Sequence, residues 1–260
     1  MKISVAIKSA LIAGVWFAST AVVWAQAPAS AAPSGPPPSA KQAAVIDLTG
    51  YWVSIVNEDW RWRMMTPPKG DYASVPLNPA GKAKADTWDA SQDGSCKAYY
   101  VAGLMRMPTR LHITWASDDV LQMESDWGQL TRRVFFKSAQ LPPPGAGTPQ
   151  GRSLGIWEHP VKVIGGMGFA SGGPASPDGS LKITTDYLAP GWLRRNGVPY
   201  SEHTQLTEYF DRFQTPDGKE WFVVTTIVDD PSYLTKPFIT SSHFRREPDG
   251  AKWTPRPCKS

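Results

Sequence analysis

The sequence predicts an all-β protein, built as an antiparallel barrel or a strongly bent meander sheet with long Pro/Gly-rich loops. Two observations lead to this fold class. Short segments of alternating apolar and polar residues recur along the chain, each bounded by Gly, Pro or Asp, which is the pattern of half-buried strands joined by turns. Helix signals are limited to one short, mostly polar window, residues 79–88. An up-and-down barrel is the commonest small closed form of such a meander.

The first 25 residues have the features of a secretory signal peptide. Lys2 and Lys8 accompany an apolar run over residues 9–24, and the small residue Ala25 stands at the expected cleavage position. The run is shorter than the roughly 20 residues that span a bilayer. We therefore expect cleavage, a periplasmic or secreted location and no stable membrane span. Retention of this segment as an uncleaved anchor is the alternative.

Residues 26–44 consist mainly of Ala, Pro, Ser and Gln. Such a composition buries little apolar surface and predicts a disordered tether. The remaining chain, residues 45–260, has the length of a single β-barrel-like domain with a sizeable core.

Eight segments carry the clearest strand pattern. They begin at Gly50, Arg110, Val120, Thr131, Ser180, Gln205, Glu220 and Phe238. Two stretches interrupt them, LPPPGAGTPQG from Leu141 and GGMGFASGGPASPDG from Gly165. Because Gly adopts positive φ freely and Pro lacks a backbone donor, both stretches are expected as long loops.

Alternation sets the register of the second and third predicted strands. Their apolar side chains fall at odd positions, 111–115 and 121–123, and must face the same side of the sheet. The residue numbers of two paired positions must therefore add up to an even number. This is possible only if the connecting loop has an odd number of residues, and residues 117–119 form such a loop. This register places His112 directly opposite Glu124.

The charge distribution does not favour nucleic acid as a partner. The formal net charge is +4, and the basic residues are scattered without a long run. The sequence gives no indication of the oligomeric state.

The chain has two cysteines, Cys96 and Cys258. Export would place both in an oxidising compartment, where two thiols usually pair. A disulfide is therefore expected, and two unpaired cysteines are the alternative.

The first strand opens with Gly50, Tyr51 and Trp52, and the last ends with Arg245 and Arg246. This arrangement resembles the GxW motif of lipocalin-type barrels, in which the Gly permits a tight turn, the Trp closes one barrel end and an Arg of the last strand commonly stacks on that Trp. The resemblance implies a cation–π contact of about 0.5–2 kcal/mol here. An ordinary Gly turn followed by a core Trp is the alternative.

Three further blocks are similar to blocks in a widespread group of largely uncharacterised exported bacterial β-rich proteins. They are SLGIWE from Ser153, GVPYSEHTQLTEYFDRF from Gly197 and TTIVDDPSYLTKPF from Thr225. This chain departs from the group's pattern at two places: His159 and Pro160 follow Glu158 where Gly-Asp is usual, and Asp229 stands where the third block usually has Glu. The resemblance covers about half of the body, implies a β-rich fold and export, and transfers no activity.

Several catalytic classes lack their sequence motifs. No GxGxxG, P-loop, HExxH or CxxC spacing occurs, so no cofactor or local metal site is indicated. Metal ligands contributed by separate strands stay an open alternative.

Acid–base residues remain as catalytic candidates. His112 facing Glu124 has the geometry of an oriented imidazole–carboxylate pair that transfers protons near neutral pH. Glu202, His203 and Glu208 are the further candidates. A hydrogen-bonded pair on a solvated sheet face is the alternative interpretation of His112 and Glu124.

Tryptophan content favours a ligand cavity. Of the 12 tryptophans, Trp16 and Trp24 lie in the predicted signal peptide, which leaves ten in the mature chain. Large aromatic rings give extensive contact area at low entropic cost. The candidate ligand-binding residues are Trp115, Trp157, Tyr209 and Trp221. The segment EDWRWRMM from Glu58 alternates Trp with Arg, as an exposed strand would.

The leading functional hypothesis is an exported lipocalin-like protein that binds a small apolar or aromatic molecule in a Trp-rich cavity. The alternative is a cofactor-independent acid–base enzyme, a lyase, isomerase or hydrolase, that acts on such a molecule inside the cavity. A structural or assembly factor of the cell envelope is a third class.

Overall fold

The computed structural model describes residues 35–159 and 179–259. The predicted signal peptide, the tether up to residue 34 and nearly all of the second Pro/Gly-rich stretch lie outside the described residues. Residues Pro38–Ser260 group into one compact unit.

Eleven strands occur in the described ranges, and nine of them close into a barrel, which confirms the predicted all-β barrel. The strands are β1 Gly50–Ile55, β2 Arg110–Ser117, β3 Val120–Ser125, β4 Thr131–Phe135, β5 Arg152–Glu158, β6 Ser180–Asp186, β7 Gly191–Arg194, β8 Val198–Tyr200, β9 Gln205–Gln214, β10 Glu220–Asp229 and β11 Phe238–Glu247. The α-helices are α1 Trp60–Arg63, α2 Pro79–Ala85 and α3 Val101–Leu104, and single 3₁₀ turns cover Ala90–Gln92, Cys96–Tyr99 and Ser138–Gln140. No helix in the described part of the chain is long and apolar enough to cross a membrane.

The barrel strands follow the order β1-β11-β10-β9-β6-β5-β4-β3-β2, and β2 pairs with β1 to close the ring. All of these pairs are antiparallel except β4–β5, which is parallel. The predicted long loop from Leu141 lies in the connection between β4 and β5. This connection returns to the other end of the barrel, so β5 runs in the direction of β4 rather than against it.

The pairing of β2 with β3 confirms the predicted register, because His112 lies opposite Glu124. The predicted three-residue loop is in fact a two-residue turn. The register shifts between Trp115 and Ser117, and Ser117 pairs with Val120. A β-bulge at residue 116 therefore supplies the extra residue that the parity argument requires.

Local sequence signals predicted one short helix correctly and missed another. The predicted helical window contains α2, whose N-cap Asn78 accepts a hydrogen bond from the Gly81 backbone N–H at 2.8 Å. The Trp/Arg segment forms α1 rather than an exposed strand. Its Arg63 side chain is buried and donates to the Arg106 carbonyl at 2.8 Å, and strand alternation does not foresee this packing.

The barrel interior is filled by side chains of its own strands. Trp52 and Phe222 have ring centroids 4.8 Å apart, Phe222 and Phe244 stack at the same distance, and Phe210 lies 5.7 Å from Phe222. All four rings are completely buried. Aromatic contacts at these distances add to the hydrophobic stabilisation from burial, and they leave the centre of the barrel closed.

Both ends of the barrel are covered. At one end, residues 39–49, here called the plug, insert Ile46 and Leu48 into the barrel core. At the other end, residues 56–109 and 187–204, here called the cap, form a second apolar cluster with the ends of β9, β10 and β11. Residues 39–44 were assigned to the tether from sequence. Because their backbone bonds to the β2–β3 turn, the ordered contacts begin before the predicted start at residue 45.

The GxW segment has the expected geometry. Gly50 has a φ of 109°, which glycine adopts without the strain of a side chain. The Trp52 indole N–H donates to the Leu48 carbonyl at 2.8 Å, and the Arg246 guanidinium lies 5.7 Å from the Trp52 ring centroid. The first turn, the plug and the last strand are thus joined around one ring.

Cys96 and Cys258 form the predicted disulfide, with a sequence separation of 162 and Cα atoms 4.9 Å apart. Backbone hydrogen bonds flank it, since Cys96 N–H donates to the Lys259 carbonyl at 2.9 Å. Trp253 of the same tail packs edge-on against Tyr51. The C-terminal tail is therefore fastened across the outer face of the barrel.

Replacing Cys96 with Ser is expected to lower the free energy of unfolding by about 2–5 kcal/mol, because the disulfide closes a long loop in the unfolded chain. Urea unfolding of the oxidised wild type and the variant measures the difference. The Cys96→Ser/Cys258→Ser double variant is the control and should lose no more than the single variant. Equal stability of wild type and Cys96→Ser would contradict a structural role for the disulfide.

Candidate functional site

Three aromatic rings form a cluster at the plug end of the barrel. Trp115 near the end of β2, Phe136 just after β4 and Trp157 near the end of β5 have ring centroids 5.2–6.5 Å apart. Inward positions on neighbouring strands bring these rings together, and both tryptophans are only partly buried. Unlike the rings in the barrel centre, they keep surface that a ligand can contact.

The plug lies across this cluster and is held by hydrogen bonds. The Trp157 indole N–H donates to the Ala40 carbonyl at 2.8 Å. The Ala40 backbone N–H donates to Asp119 at 2.9 Å, and the Lys41 N–H donates to the Asp118 carbonyl at 2.9 Å. The Lys137 ammonium, and then the Ala40 N–H, lower the pKa of the Asp119 carboxyl. Asp119 therefore remains a charged acceptor for the plug.

A cavity of about 450 Å³ separates the plug from the barrel rim. Trp115, Leu121, Trp157 and Arg212 line the barrel side, and residues 41 and 44–49 line the plug side. A second cavity of about 300 Å³ lies on the other side of Trp157, next to Phe136. Trp157 thus forms a wall of both cavities.

Charged groups border the larger cavity. Arg212 forms an ion pair with Glu220, and Glu220 also pairs with Arg246 at 2.6 Å. Burial acts to raise the pKa of Glu220, but the Arg246 hydrogen bond and the two guanidinium charges outweigh it and lower that pKa. Lys41 and Asp47 are the other charged residues of the lining, so the lining residues carry two positive charges and one negative charge.

Two of the four predicted ligand-binding residues line the cavity, and two do not. Trp115 and Trp157 are in its wall. Tyr209 and Trp221 point away from the interior, since Glu208 and Phe222, the positions next to them, face inward. Tyr209 packs under the Lys182 ammonium at 5.4 Å, and Trp221 stacks on Phe213 at 6.4 Å. Their assignment to the cavity was wrong because the inward face of β9 and β10 carries even-numbered residues.

The predicted acid–base pair is on the outside of the barrel. His112 Nδ1 lies 3.3 Å from Glu124 Oε2, so the two side chains meet as expected. His112 stacks on Tyr51, with ring centroids 4.2 Å apart, and touches the edge of Trp253. Leu111 and Ile113 on either side of it face the core. The pair therefore belongs to the outer sheet face beneath the C-terminal tail and lines none of the cavities described above.

The remaining acid–base candidates are not brought together. Glu202 and His203 are exposed in the turn before β9, whereas Glu208 is completely buried inside the barrel. Glu208 faces inward from β9, whereas Glu202 and His203 precede the strand and face solvent.

Glu208 belongs to a polar layer inside the barrel that sequence reasoning missed. Arg132 Nη2 lies 2.6 Å from Glu208 Oε2, and neither side chain is exposed. Arg132 also donates to Ser153 at 3.0 Å and to Thr185 at 2.8 Å. The available signal was that Arg132 shares a strand face with Val134, an apolar residue that faces the core. This enclosed ion pair is a structural element between the two apolar clusters.

The plug residues and Arg212 were also missed as parts of a site. The plug has tether-like composition in sequence, and nothing local indicates that its backbone bonds to the β2–β3 turn. Within the described ranges, no group of three or more His, Cys, Asp or Glu side chains is placed to hold a metal ion. No family model, curated protein or solved structure matches this chain.

Breaking the buried ion pair is expected to be costly. Glu208→Leu should lower the free energy of unfolding by about 3–5 kcal/mol, because it leaves the Arg132 charge buried without its carboxylate. The double variant Arg132→Met/Glu208→Leu should recover most of that loss, since it removes both charges. Urea unfolding of the four proteins gives the coupling free energy. Additive losses in the double variant would show that the two side chains do not act as a pair.

Proposed function

We propose that this chain is an exported protein that binds a small apolar or aromatic molecule at the plug end of the barrel. The observation that carries the proposal is the cavity of about 450 Å³ with Trp115 and Trp157 in its wall. Small-molecule sites are typically concave, about 300–1,000 Å³ in volume and lined by aromatic side chains with a few polar groups.

The residues that line the cavity also indicate the shape and charge of the ligand. The rings of Trp115 and Trp157 offer flat apolar surface, whereas the charges of Lys41, Arg212 and Asp47 leave the lining with one net positive charge. A flat molecule with an anionic substituent would satisfy both features. Because the centre of the barrel is filled by its own rings, the ligand is expected to lie between plug and rim rather than deep in the barrel.

Export is part of the proposal. The disulfide between Cys96 and Cys258 supports an oxidising compartment, and the N-terminal sequence has signal-peptide features. A periplasmic or secreted location is consistent with both.

The enzymatic alternative has no comparable support. His112 and Glu124 contact each other on the outer face, and Glu208 is enclosed in an ion pair. No observation places an acid–base pair of the described residues beside the Trp-lined cavity.

Titration with the fluorescent probe 1-anilinonaphthalene-8-sulfonate, an aromatic anion, tests the proposal. Wild-type protein should bind the probe saturably. Trp115→Ala and Trp157→Ala should each raise the dissociation constant at least about tenfold, because losing a buried aromatic contact in a binding site commonly costs about 2 kcal/mol.

Trp221→Ala is the matched control, since it removes a tryptophan from the outer face, and its dissociation constant should equal that of wild type. Circular dichroism verifies that each variant is folded. Unchanged affinity in both cavity variants, or an equal loss in Trp221→Ala, would refute the site.

A further inference from the structure

Arg194, the last residue of β7, is buried in the cap with only 1 % of its surface exposed. None of its three guanidinium nitrogens has a hydrogen-bond partner among the described residues. Its one specific contact is the ring of Trp62, whose centroid lies 4.8 Å away. A cation–π contact offsets part of the cost of burying the charge, but it leaves the planar donors of the guanidinium unused.

Arg106 is a second buried cation of the same cap, with 3 % of its surface exposed. Its Nη2 pairs with Asp59 at 2.9 Å, whereas its Nη1 is buried and has no hydrogen-bond partner in the described chain. Burial, and then the positive charge of Arg106, lower the pKa of Arg194 to about 10. Arg194 therefore remains charged at neutral pH, and the two guanidinium groups lie close enough to influence each other.

Arg63, a third buried arginine of the cap, has both an ion-pair partner and hydrogen-bond acceptors for its guanidinium group. Arg63 pairs with Glu58 and donates to the Arg106 carbonyl and the Ser54 hydroxyl. Arg63 and Arg106 thus each have one carboxylate, and Arg194 has none in the part of the chain that the structure describes. Asp59 and Asp71, the carboxylates whose charges act on Arg194, form their ion pairs with Arg106 and Arg61 instead.

A buried unpaired charge is strongly unfavourable, because it loses hydration and gains no counter-charge. The guanidinium fork is matched best by a carboxylate or phosphate, which accepts two parallel hydrogen bonds. We infer that the cap binds a small oxyanion, a carboxylate or a phosphate group, through Arg194 and the free Nη1 of Arg106.

The turn after Arg194 packs against residues that line a surface cavity. Asn196 donates to the carbonyls of Pro68 and Asp71 at 3.1 and 3.0 Å, and Gly197 packs on Trp88. Pro68 and Trp88 also line a surface cavity of about 530 Å³. The proposed route of an anion to Arg194 runs through this cavity, at the barrel end opposite to the proposed aromatic site. Its lining carries Lys69, Asp89 and Asp93 but does not include Arg194 itself.

Thermal unfolding in Tris chloride, with inorganic phosphate or acetate added at constant ionic strength, tests the inference. Binding to the folded state raises the unfolding temperature with ligand concentration. Wild type should show a saturable rise with at least one anion; a response to phosphate alone assigns a phosphate group, and one to acetate alone assigns a carboxylate. Arg194→Met should raise the apparent dissociation constant at least about tenfold, as expected for lost charge-assisted hydrogen bonds.

Arg61→Met is the matched control. Arg61 also lies over the Trp62 ring, at 5.2 Å, but its side chain is 65 % exposed, so this variant should keep the wild-type response. In Tris chloride without phosphate or acetate, Arg194→Met should unfold at the same or a higher temperature than wild type, because it removes an uncompensated charge. If Arg194→Met does not fold, Arg194→Lys keeps the charge without the planar fork and should still weaken the response.

The absence of any anion response in wild type, or an undiminished response in the Arg194 variants, would overturn the inference. Binding of 1-anilinonaphthalene-8-sulfonate should be unchanged in Arg194→Met, because that probe is proposed to bind at the other barrel end. The two proposals can therefore fail independently.

Discussion

The rings of Trp52, Phe222 and Phe244 pack together in the centre of the barrel, with Trp52 edge-on to Phe222 and Phe244 stacked on it. With centroids 4.8 Å apart, they fill the space that a ligand would otherwise take, as interiors packed to native density do. Trp52 also holds the plug through the Leu48 carbonyl and the last strand through Arg246. The Trp52 ring thus contacts the barrel centre, the plug and the last strand. Because the centre is filled, a binding site can lie only at the ends of the barrel.

The two ends use different chemistry. At the plug end, half-buried tryptophans and a border of mixed charge surround open space. At the cap end, buried arginines are held by carboxylates of the same segment, except for Arg194. The polar layer of Arg132, Glu208, Ser153 and Thr185 lies between the apolar clusters and is closed to solvent. Buried pairs of this kind are sensitive to loss of one partner but are weak evidence for net stabilisation.

The sequence predicted those features that depend on local patterns. Period-two alternation located eight of the nine barrel strands and placed His112 opposite Glu124, because one face of each strand must be buried. It did not identify β5 as a strand, since the buried positions of β5 include Ser153 and Gly155, whereas the apolar Ile156 is exposed. Nor could alternation decide that Tyr209 and Trp221 face outward. Those orientations follow from which face of each strand meets the closed barrel, and short-range pattern does not contain that information. For Arg132 the strand face shared with Val134 indicated burial, but the charge of the side chain argued against it.

Hydrogen exchange measured by mass spectrometry, with and without saturating 1-anilinonaphthalene-8-sulfonate, tests most directly whether the ligand lies between plug and rim. Protection reports the opening free energy of each segment. Amides of residues 39–49 and of the β2–β3 turn should exchange more slowly with the probe bound, because the ligand bridges the plug to Trp115 and Trp157. Unchanged exchange in these segments, together with new protection in the cap or on the outer strand faces, would contradict a binding site at the plug end.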